Sequence, residues 1–290
     1  MARIGIAHPG EMGAALADAW HDGGHTVLWA SAGRSTRTHE RAERAEIEDA
    51  GTMSGLARRS DILIAICPPH AALELAVSLD RFEGVYVDAN ATSPQTAEQI
   101  ATAVAVHGAT YVDGSVIGPP PKQAGSTRLY LSGGEAESVA AELSAPRLET
   151  IALPGALTGA SAIKMAYAGW TKGSTALLLA IRAAASALGV EGALVEEWQR
   201  SEPGLLERSE AAAHSAAAKA WRWSGEMEEV AATLAAAGLP EGFHRAAAEV
   251  FERVGDELDP DDLHLLAHLR ELLTRLNGTP APERSGSRQN

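Results

Sequence analysis

The sequence predicts an α/β protein, with a doubly wound parallel sheet in its first half and an all-helical domain after it. Two patterns carry this expectation. Up to about residue 150, short runs that are apolar on both faces alternate with amphipathic stretches, as in a parallel sheet covered by helices on both sides. After about residue 154 strand-like runs stop, and Ala, Leu, Glu and Arg recur at helical spacing. The 290 residues suffice for two domains of ordinary size. The expected boundaries are 1–154 for the nucleotide-binding domain, 155–277 for the helical domain and 278–290 for a disordered tail.

The elements follow in order. Ile4-Gly5-Ile6-Ala7 reads as a buried strand, and residues 12–22 carry Met12, Leu16, Ala19 and Trp20 at helical spacing. Residues 25–29 form a second strand, followed by a polar, Arg-rich helix over 36–49. Residues 61–66 are a continuous apolar run ending at Pro68-Pro69. Val85-Tyr86-Val87-Asp88 leads into a helix over 94–107, and the runs at 110–113 and 129–132 complete the sheet. Parallel neighbours need crossover helices, which this spacing supplies. In the second half a long helix is expected over 159–188. Breaks are expected at Gly189, Pro203-Gly204, Gly225, Gly238-Leu239-Pro240 and Asp259-Pro260.

Composition excludes several classes of function. Lys and Arg total 24 against 38 Asp and Glu, a formal charge of -14, so nucleic acid and anionic membrane surfaces are not expected partners. One cysteine, Cys67, rules out an intramolecular disulfide or a Cys-rich metal site. No H-E-x-x-H or carboxylate pattern suggests a metal. Residues 3–6 read as a strand rather than a leader, and the longest apolar candidate, 174–190, is interrupted by Arg182. The expectation is a cytoplasmic protein acting on a small molecule.

Between the first strand and first helix lies His8-Pro9-Gly10-Glu11-Met12-Gly13. A dinucleotide site places a glycine-rich turn there, so that backbone N–H groups and the helix N-terminus meet the pyrophosphate. His8 stands where the G-x-G-x-x-G fingerprint has its first glycine, while Gly10 and Gly13 keep the other two. The alternative is a tight turn without a ligand. Residues 29–36 contain no Asp or Glu for a ribose, but offer Arg34 with Ser31, Ser35 and Thr36. A 2′-phosphate would find charge-assisted hydrogen bonds there, which favours NADP over NAD.

Taken with Cys67-Pro68-Pro69 after a strand, these residues resemble the β-hydroxyacid dehydrogenases, the superfamily of 3-hydroxyisobutyrate and 6-phosphogluconate dehydrogenases. Residues 88–94, Asp-Ala-Asn-Ala-Thr-Ser-Pro, look like the family's Asp-x-Ser-Thr segment. Asp113-Gly114-Ser115-Val116-Ile117-Gly118 occupies the place of its substrate loop. Residues 159–164 match the start of its interdomain helix with the catalytic lysine. The stretches 164–173 and 220–228 are similar to a subgroup with a 6-phosphogluconate-dehydrogenase-like C-terminal domain. The resemblance runs over about residues 3–255.

It implies a Rossmann-like domain whose NADP site includes Pro9, Gly10, Glu11, Met12, Gly13, Ser31, Arg34, Ser35, Cys67, Pro68, Pro69 and Asn90. It implies a cleft at the carboxyl ends of the strands and a homodimer with interlocked helical domains. Lys164 becomes the general acid/base for hydride exchange between nicotinamide and a small polar carbonyl or secondary alcohol; the alternative is a lysine that snorkels to water. Ala168 stands where the family carries an Asn, leaving Tyr167 and Thr171 as substitute hydroxyls. Ser115, Val116, Ile117, Gly118, Lys172 and Trp223 are the candidate substrate contacts. Ile117 and Pro119 replace the loop's Ser and Gly. Imine reduction is the alternative activity, and a cofactor-binding scaffold without catalysis is a third reading.

Overall fold

The computed structural model describes residues 1–255, together with Ala267 and Glu271. Ten helices and eight strands are formed among them. The sheet order is β3-β2-β1-β4-β5-β6-β7-β8, with β1 at Arg3–Ile6, β2 at Thr26–Trp29, β3 at Glu48–Asp49, β4 at Ile62–Ala65, β5 at Val85–Asp88, β6 at Thr110–Ile117, β7 at Arg128–Ser132 and β8 at Glu149–Ala152. The order reverses at β1, as in a doubly wound sheet, and places a crevice outside the carboxyl ends of β1 and β4.

Period-two alternation builds the core. Ile4, Ile6, Val27, Trp29, Ile62 and Ile64 face one side, where Leu16 and Trp20 of helix α1 (Glu11–Asp22) and Val139 and Leu143 of α6 (Ala136–Leu143) cover them. Leu28, Leu63, Ala65 and Tyr86 face the other, against Leu56 of α3 (Met53–Arg59), Ala72 and Ala76 of α4 (Pro69–Val77) and Ile100 and Val104 of α5 (Pro94–Val106). Trp20 is fully buried, and its indole N–H donates to the Leu143 carbonyl at 2.8 Å.

Two details here depart from the sequence reading. The helix expected over 36–49 ends early, as α2 at Thr36–Arg44; Glu46 turns into the left-handed region (φ 51) and the chain enters β3. The sheet is mixed, because β7 pairs antiparallel to β6. Residues 118–127 between them contain Pro119-Pro120-Pro121 and no helix, so no covering crossover is available for a parallel pair. Gly118, at φ +123, starts this turn, and a Cβ there would lie 2.3 Å from the Ser126 carbonyl oxygen.

The second half is helical throughout the described residues: α7 at Gly159–Ala187, α8 at Glu191–Ser201, α9 at Leu205–Ala236 and α10 at Gly242–Val254. The breaks near Gly189, Gly204 and Gly238 are present, each with positive φ at that glycine. The break expected at Gly225 is not, since α9 runs through it. A glycine costs a helix only about 1 kcal/mol relative to Ala, which good helix formers on both sides outweigh. The Asp259-Pro260 break and the tail at 278–290 lie outside the described residues. By internal contacts the chain divides into one unit of Met1–Trp170 with Gly225–Arg245, and a second of Thr171–Ser224 with the described residues from Ala246 on.

In the second unit, the guanidinium of Arg182 is buried. Its Nε and Nη2 donate to Glu191 Oε1 at 3.0 and 2.7 Å, and Nη1 donates to Ser209 Oγ at 2.7 Å. This arginine, which interrupts the apolar run in sequence, ties α7, α8 and α9 together.

In the first unit, two aspartates pair across the sheet: Asp88 and Asp113 are register partners at the ends of β5 and in β6. Asp113 Oδ1 accepts from Ser161 Oγ at 2.6 Å, and Oδ2 accepts from Ser161 N at 2.7 Å and Ser132 Oγ at 3.1 Å. Ser132 Oγ in turn accepts from Ala160 N at 2.9 Å. Thus the first turn of α7 is fixed to the sheet by a carboxylate at its N-terminus, where the helix dipole favours negative charge. Asp88 accepts from both nitrogens of Asn90 and from the Tyr111 hydroxyl. Burial, and then the Asp113 charge, push the Asp88 carboxyl up to about 7.

Two measurements follow from these buried charges. Glu191→Ala should lower unfolding stability by about 3–5 kcal/mol, because it strands the buried guanidinium; an unchanged denaturant midpoint would show that the pair is solvated. Between about pH 4 and pH 7 folded Asp88 keeps a proton that the unfolded chain has released. Its contribution is therefore complete below the unfolded value and is lost as pH rises through the folded one. Asp88→Asn should remove that loss, so the variant gains on the wild type from about pH 4 to pH 7 in urea unfolding. Parallel pH profiles for the two proteins would contradict the assignment.

Candidate dinucleotide and proton-transfer site

The turn after β1 is built for close approach. Gly10 N donates to the His8 carbonyl at 2.9 Å, and Ala14 N to the Gly10 carbonyl at 2.9 Å. A Cβ on Gly13 would lie 2.7 Å from that same His8 carbonyl oxygen and 3.2 Å from Ile66 Cγ2, so only glycine lets α1 pack onto the strand here. A Cβ on Gly10 would meet only the His8 ring, at 3.6 Å and beyond, so this backbone is open to a ligand. No side chain caps α1, and the N–H groups of Glu11, Met12 and Gly13 are left for an external acceptor. Pro9 is buried beneath the turn and Glu11 is exposed. These residues fit a pyrophosphate.

Arg34 reaches back from the β2 end, its Nη2 donating to the Ala7 carbonyl at 3.0 Å. Its Nε is buried without a hydrogen-bond partner, as is His8 Nδ1. Burial, with the charges of Arg34 and Arg41, holds the His8 imidazole below its ordinary range. Ser35 precedes α2, with its hydroxyl 3.1 Å from that of Thr38. Ser31 bonds to Asp49, a residue the sequence reading passed over. Burial pushes the Asp49 carboxyl up, but the N–H of Gly51 and the Ser31 contacts outweigh it and hold the group below its usual range. Its place in a two-residue strand, beside Trp29 in register, gave no periodic signal.

At the β4 end, Cys67 N donates to Asn90 Oδ1 at 2.6 Å, joining the two segments that the motifs had singled out. Pro68 and Pro69 open α4, with Pro68 at its N-cap. Burial above all, with the Asp88 carboxyl, pushes the Cys67 thiol up to about 12. So held, the thiol is a poor nucleophile at neutral pH. Ser93 caps α5, and its backbone N–H donates at 2.6 Å to Glu229 Oε2 of α9. Glu229, Asp88, Asp113 and Ser161 were absent from the sequence-derived site; for the two aspartates the signal was an Asp at the same position in consecutive strands.

Lys164 meets the loop expected to hold the substrate. Its Nζ donates to the Val116 carbonyl at 2.7 Å. Ser115, next along β6, is fully buried, and its hydroxyl has no hydrogen-bond partner. Ile117 is buried, and Gly118 makes the turn described above. Along α7, Ala168 is buried and Tyr167 is 48% exposed, so the position one turn after Lys164 presents only a methyl group. His244, in the first turn of α10, places Nε2 3.2 Å from the Gly169 carbonyl. Thr171, Lys172 and Trp223 belong to the second unit. There, Lys172 Nζ lies 5.9 Å over the Trp223 ring, which also packs edge-on against Phe251. Trp223 is buried and Trp221 exposed.

Comparison with known proteins bears on the fold and the nucleotide-binding domain. The NAD binding domain of 6-phosphogluconate dehydrogenase matches residues 2–159, and a domain of unknown function matches residues 185–254. A 28.5 kDa protein encoded in a 7S RNA 5′ region of Methanothermus fervidus is 28% identical over 206 residues, covering 69% of this chain and 77% of its own. A conserved protein described as structurally similar to 3-hydroxyacid dehydrogenases is 26% identical, with a TM-score of 0.67 over 94% of this chain and all of its own. Two more distant structures share the fold. The 3-hydroxyisobutyrate dehydrogenase of Mycobacterium tuberculosis, solved with L-serine, is 15% identical with a TM-score of 0.66 over 93% of this chain and 99% of its own. A reductive aminase of Aspergillus terreus, in complex with NADPH and ethyl levulinate, is 20% identical with a TM-score of 0.56 over 94% and 98%. With more than half of its length matched by the nucleotide-binding family and the glycine turn in place, the chain belongs to the β-hydroxyacid dehydrogenase superfamily of NAD(P)-dependent oxidoreductases.

Proposed function

We propose that the protein is an NADP(H)-dependent oxidoreductase acting on a small polar carbonyl or the corresponding secondary alcohol, with Lys164 as general acid/base. The observation that carries this reading is the bond from Lys164 Nζ to the Val116 carbonyl. When bound, the nicotinamide supplies or accepts the hydride. The chain supplies the proton. An ammonium is a donor through its N–H groups, and the bond to Val116 holds Nζ at the end of β6. In reduction Lys164 gives a proton to the oxygen as negative charge develops there; in oxidation, deprotonated, it takes the hydroxyl proton. Ser115 offers a hydrogen bond to a polar substituent. Tyr167 and Thr171 are the hydroxyls proposed for substrate positioning, with Lys172 and Trp223 as the charged and apolar contacts.

NADP rather than NAD is supported by the guanidinium of Arg34 at the end of β2, a multi-donor fork suited to a phosphate. Asp49 pairs in register with Trp29 at the β2 end, but Ser31 and Gly51 already engage its carboxylate. A homodimer is supported by Leu177 and Ile181 on α7 and Leu188 just past its end, each more than 40% exposed; apolar side chains so exposed need a covering surface. Imine reduction is the second reading. Ala168 favours it, since a C=N substrate is satisfied without an amide beside the lysine.

Three outcomes are expected. Lys164→Ala should lower kcat for ketone reduction by about 10²–10⁴-fold with NADPH affinity intact; full ketone turnover by the variant removes the lysine from the mechanism. Retention of imine turnover alone would select the second reading. Arg34→Ala should weaken NADPH binding by roughly 10-fold or more and leave NADH unchanged; equal losses for both nucleotides would contradict the 2′-phosphate assignment. Ile181→Glu should shift the sedimentation coefficient from dimer to monomer and lower activity, and a fully active monomeric wild type would contradict the dimer.

A further inference from the structure

The first position of the phosphate-binding turn carries an imidazole where the fingerprint has a glycine. The backbone allows it. Glu46 is the sole non-glycine residue with positive φ among the described residues, so His8 occupies a conformation open to any L-residue. The ring leans over Gly10: its Cδ2 and Nε2 lie 3.6 and 3.8 Å from where a Gly10 Cβ would sit. Nε2 is thereby placed beside the uncapped start of α1.

The other ring nitrogen faces a different demand. His8 Nδ1 and Arg34 Nε are both buried, both lack a hydrogen-bond partner, and Arg34 is anchored on Ala7, the residue before His8. A guanidinium Nε can only donate, and a neutral imidazole accepts at the nitrogen that carries no proton. The two unpartnered atoms are therefore complementary when the His8 proton sits on Nε2. A second proton is opposed by burial and by Arg34 and Arg41. The resulting tautomer offers an N–H donor over Gly10, on the side that receives the ligand's phosphates.

Resting on the dinucleotide reading of this turn, we propose that His8 is a phosphate ligand, donating from Nε2 to a phosphate oxygen of the bound nucleotide and supplementing the backbone donors of α1. The shared chemistry is a phosphate oxyanion, which the pyrophosphate or the 2′-phosphate can provide.

The test is a fluorescence titration of the full chain with NADPH and NADH at fixed ionic strength, for the wild type, His8→Gly and His8→Gln. His8→Gly, which restores the fingerprint glycine, should weaken binding by about 10- to 100-fold, the usual range for a hydrogen bond to a charged group. His8→Gln, whose amide places an N–H at a similar reach, should recover most of it. A loss shared by both nucleotides identifies the pyrophosphate; a loss confined to NADPH identifies the 2′-phosphate. Either supports the ligand role. If His8→Gly binds as tightly as the wild type or tighter, His8 is a bystander or an obstruction and the proposal fails, while the dinucleotide reading stands. If the wild type binds neither nucleotide, that reading fails and the role of His8 with it. As a check independent of affinity, the ¹⁵N resonances of the His8 ring should show the Nε2–H tautomer and shift on NADPH addition. The opposite tautomer, unmoved by the nucleotide, would overturn the proposal even if a variant is poorly folded.

Discussion

The bond between the Asp113 carboxylate and the first turn of α7 governs where Lys164 is placed. It holds Ser161 through both its N–H and its hydroxyl, and through Ser132 it reaches Ala160. Lys164 follows Ser161 by three residues along the helix, and Val116 follows Asp113 by three along the strand. Once the helix start is pinned to the strand, the lysine has one short route to the sheet end. A carboxylate at a helix N-terminus is favourable, but two of them buried side by side are not. That cost appears as the raised Asp88. The sheet tolerates it because Asn90 and Tyr111 donate to the second carboxyl, leaving no lone pair of importance unserved.

Much of this was legible in the sequence, for reasons that differ by element. The parallel strands announced themselves because burial on both faces demands continuous apolar runs, as in Ile62–Ala65. Glycines at turns were readable because their φ values are hard for other residues, as at Gly189 and Gly204. What failed was local. Gly225 was taken as a break, yet a single glycine cannot outbid a helix of 32 residues. The antiparallel β7 was missed because strand direction depends on the connection, and three prolines in place of a helix were the only signal.

The site shows the same division. Residues in contiguous motifs were singled out, the glycine turn from its spacing and Cys67 and Lys164 from the family resemblance. Asp113 and Glu229 were not, since their significance comes from what strand register and helix packing bring beside them. Asp49 is a further case: it acts through Ser31, eighteen positions earlier in the chain, and no periodicity links the two. Sequence patterns mark backbone that must be shaped in a particular way; side chains that meet only after folding leave little trace.

The state of Cys67 has a chemical consequence for the carbonyl chemistry proposed above. A thiolate adds readily to an aldehyde or ketone, giving a hemithioacetal that would occupy the site without turning over. A thiol held near pKa 12 is almost entirely protonated at neutral pH and is a poor nucleophile. Burial at the end of β4 thus gives this position the size and polarisability of sulfur without its reactivity. It also makes the chain's single cysteine slow to oxidise, so exposure to peroxide should spare the strand end that the nucleotide approaches.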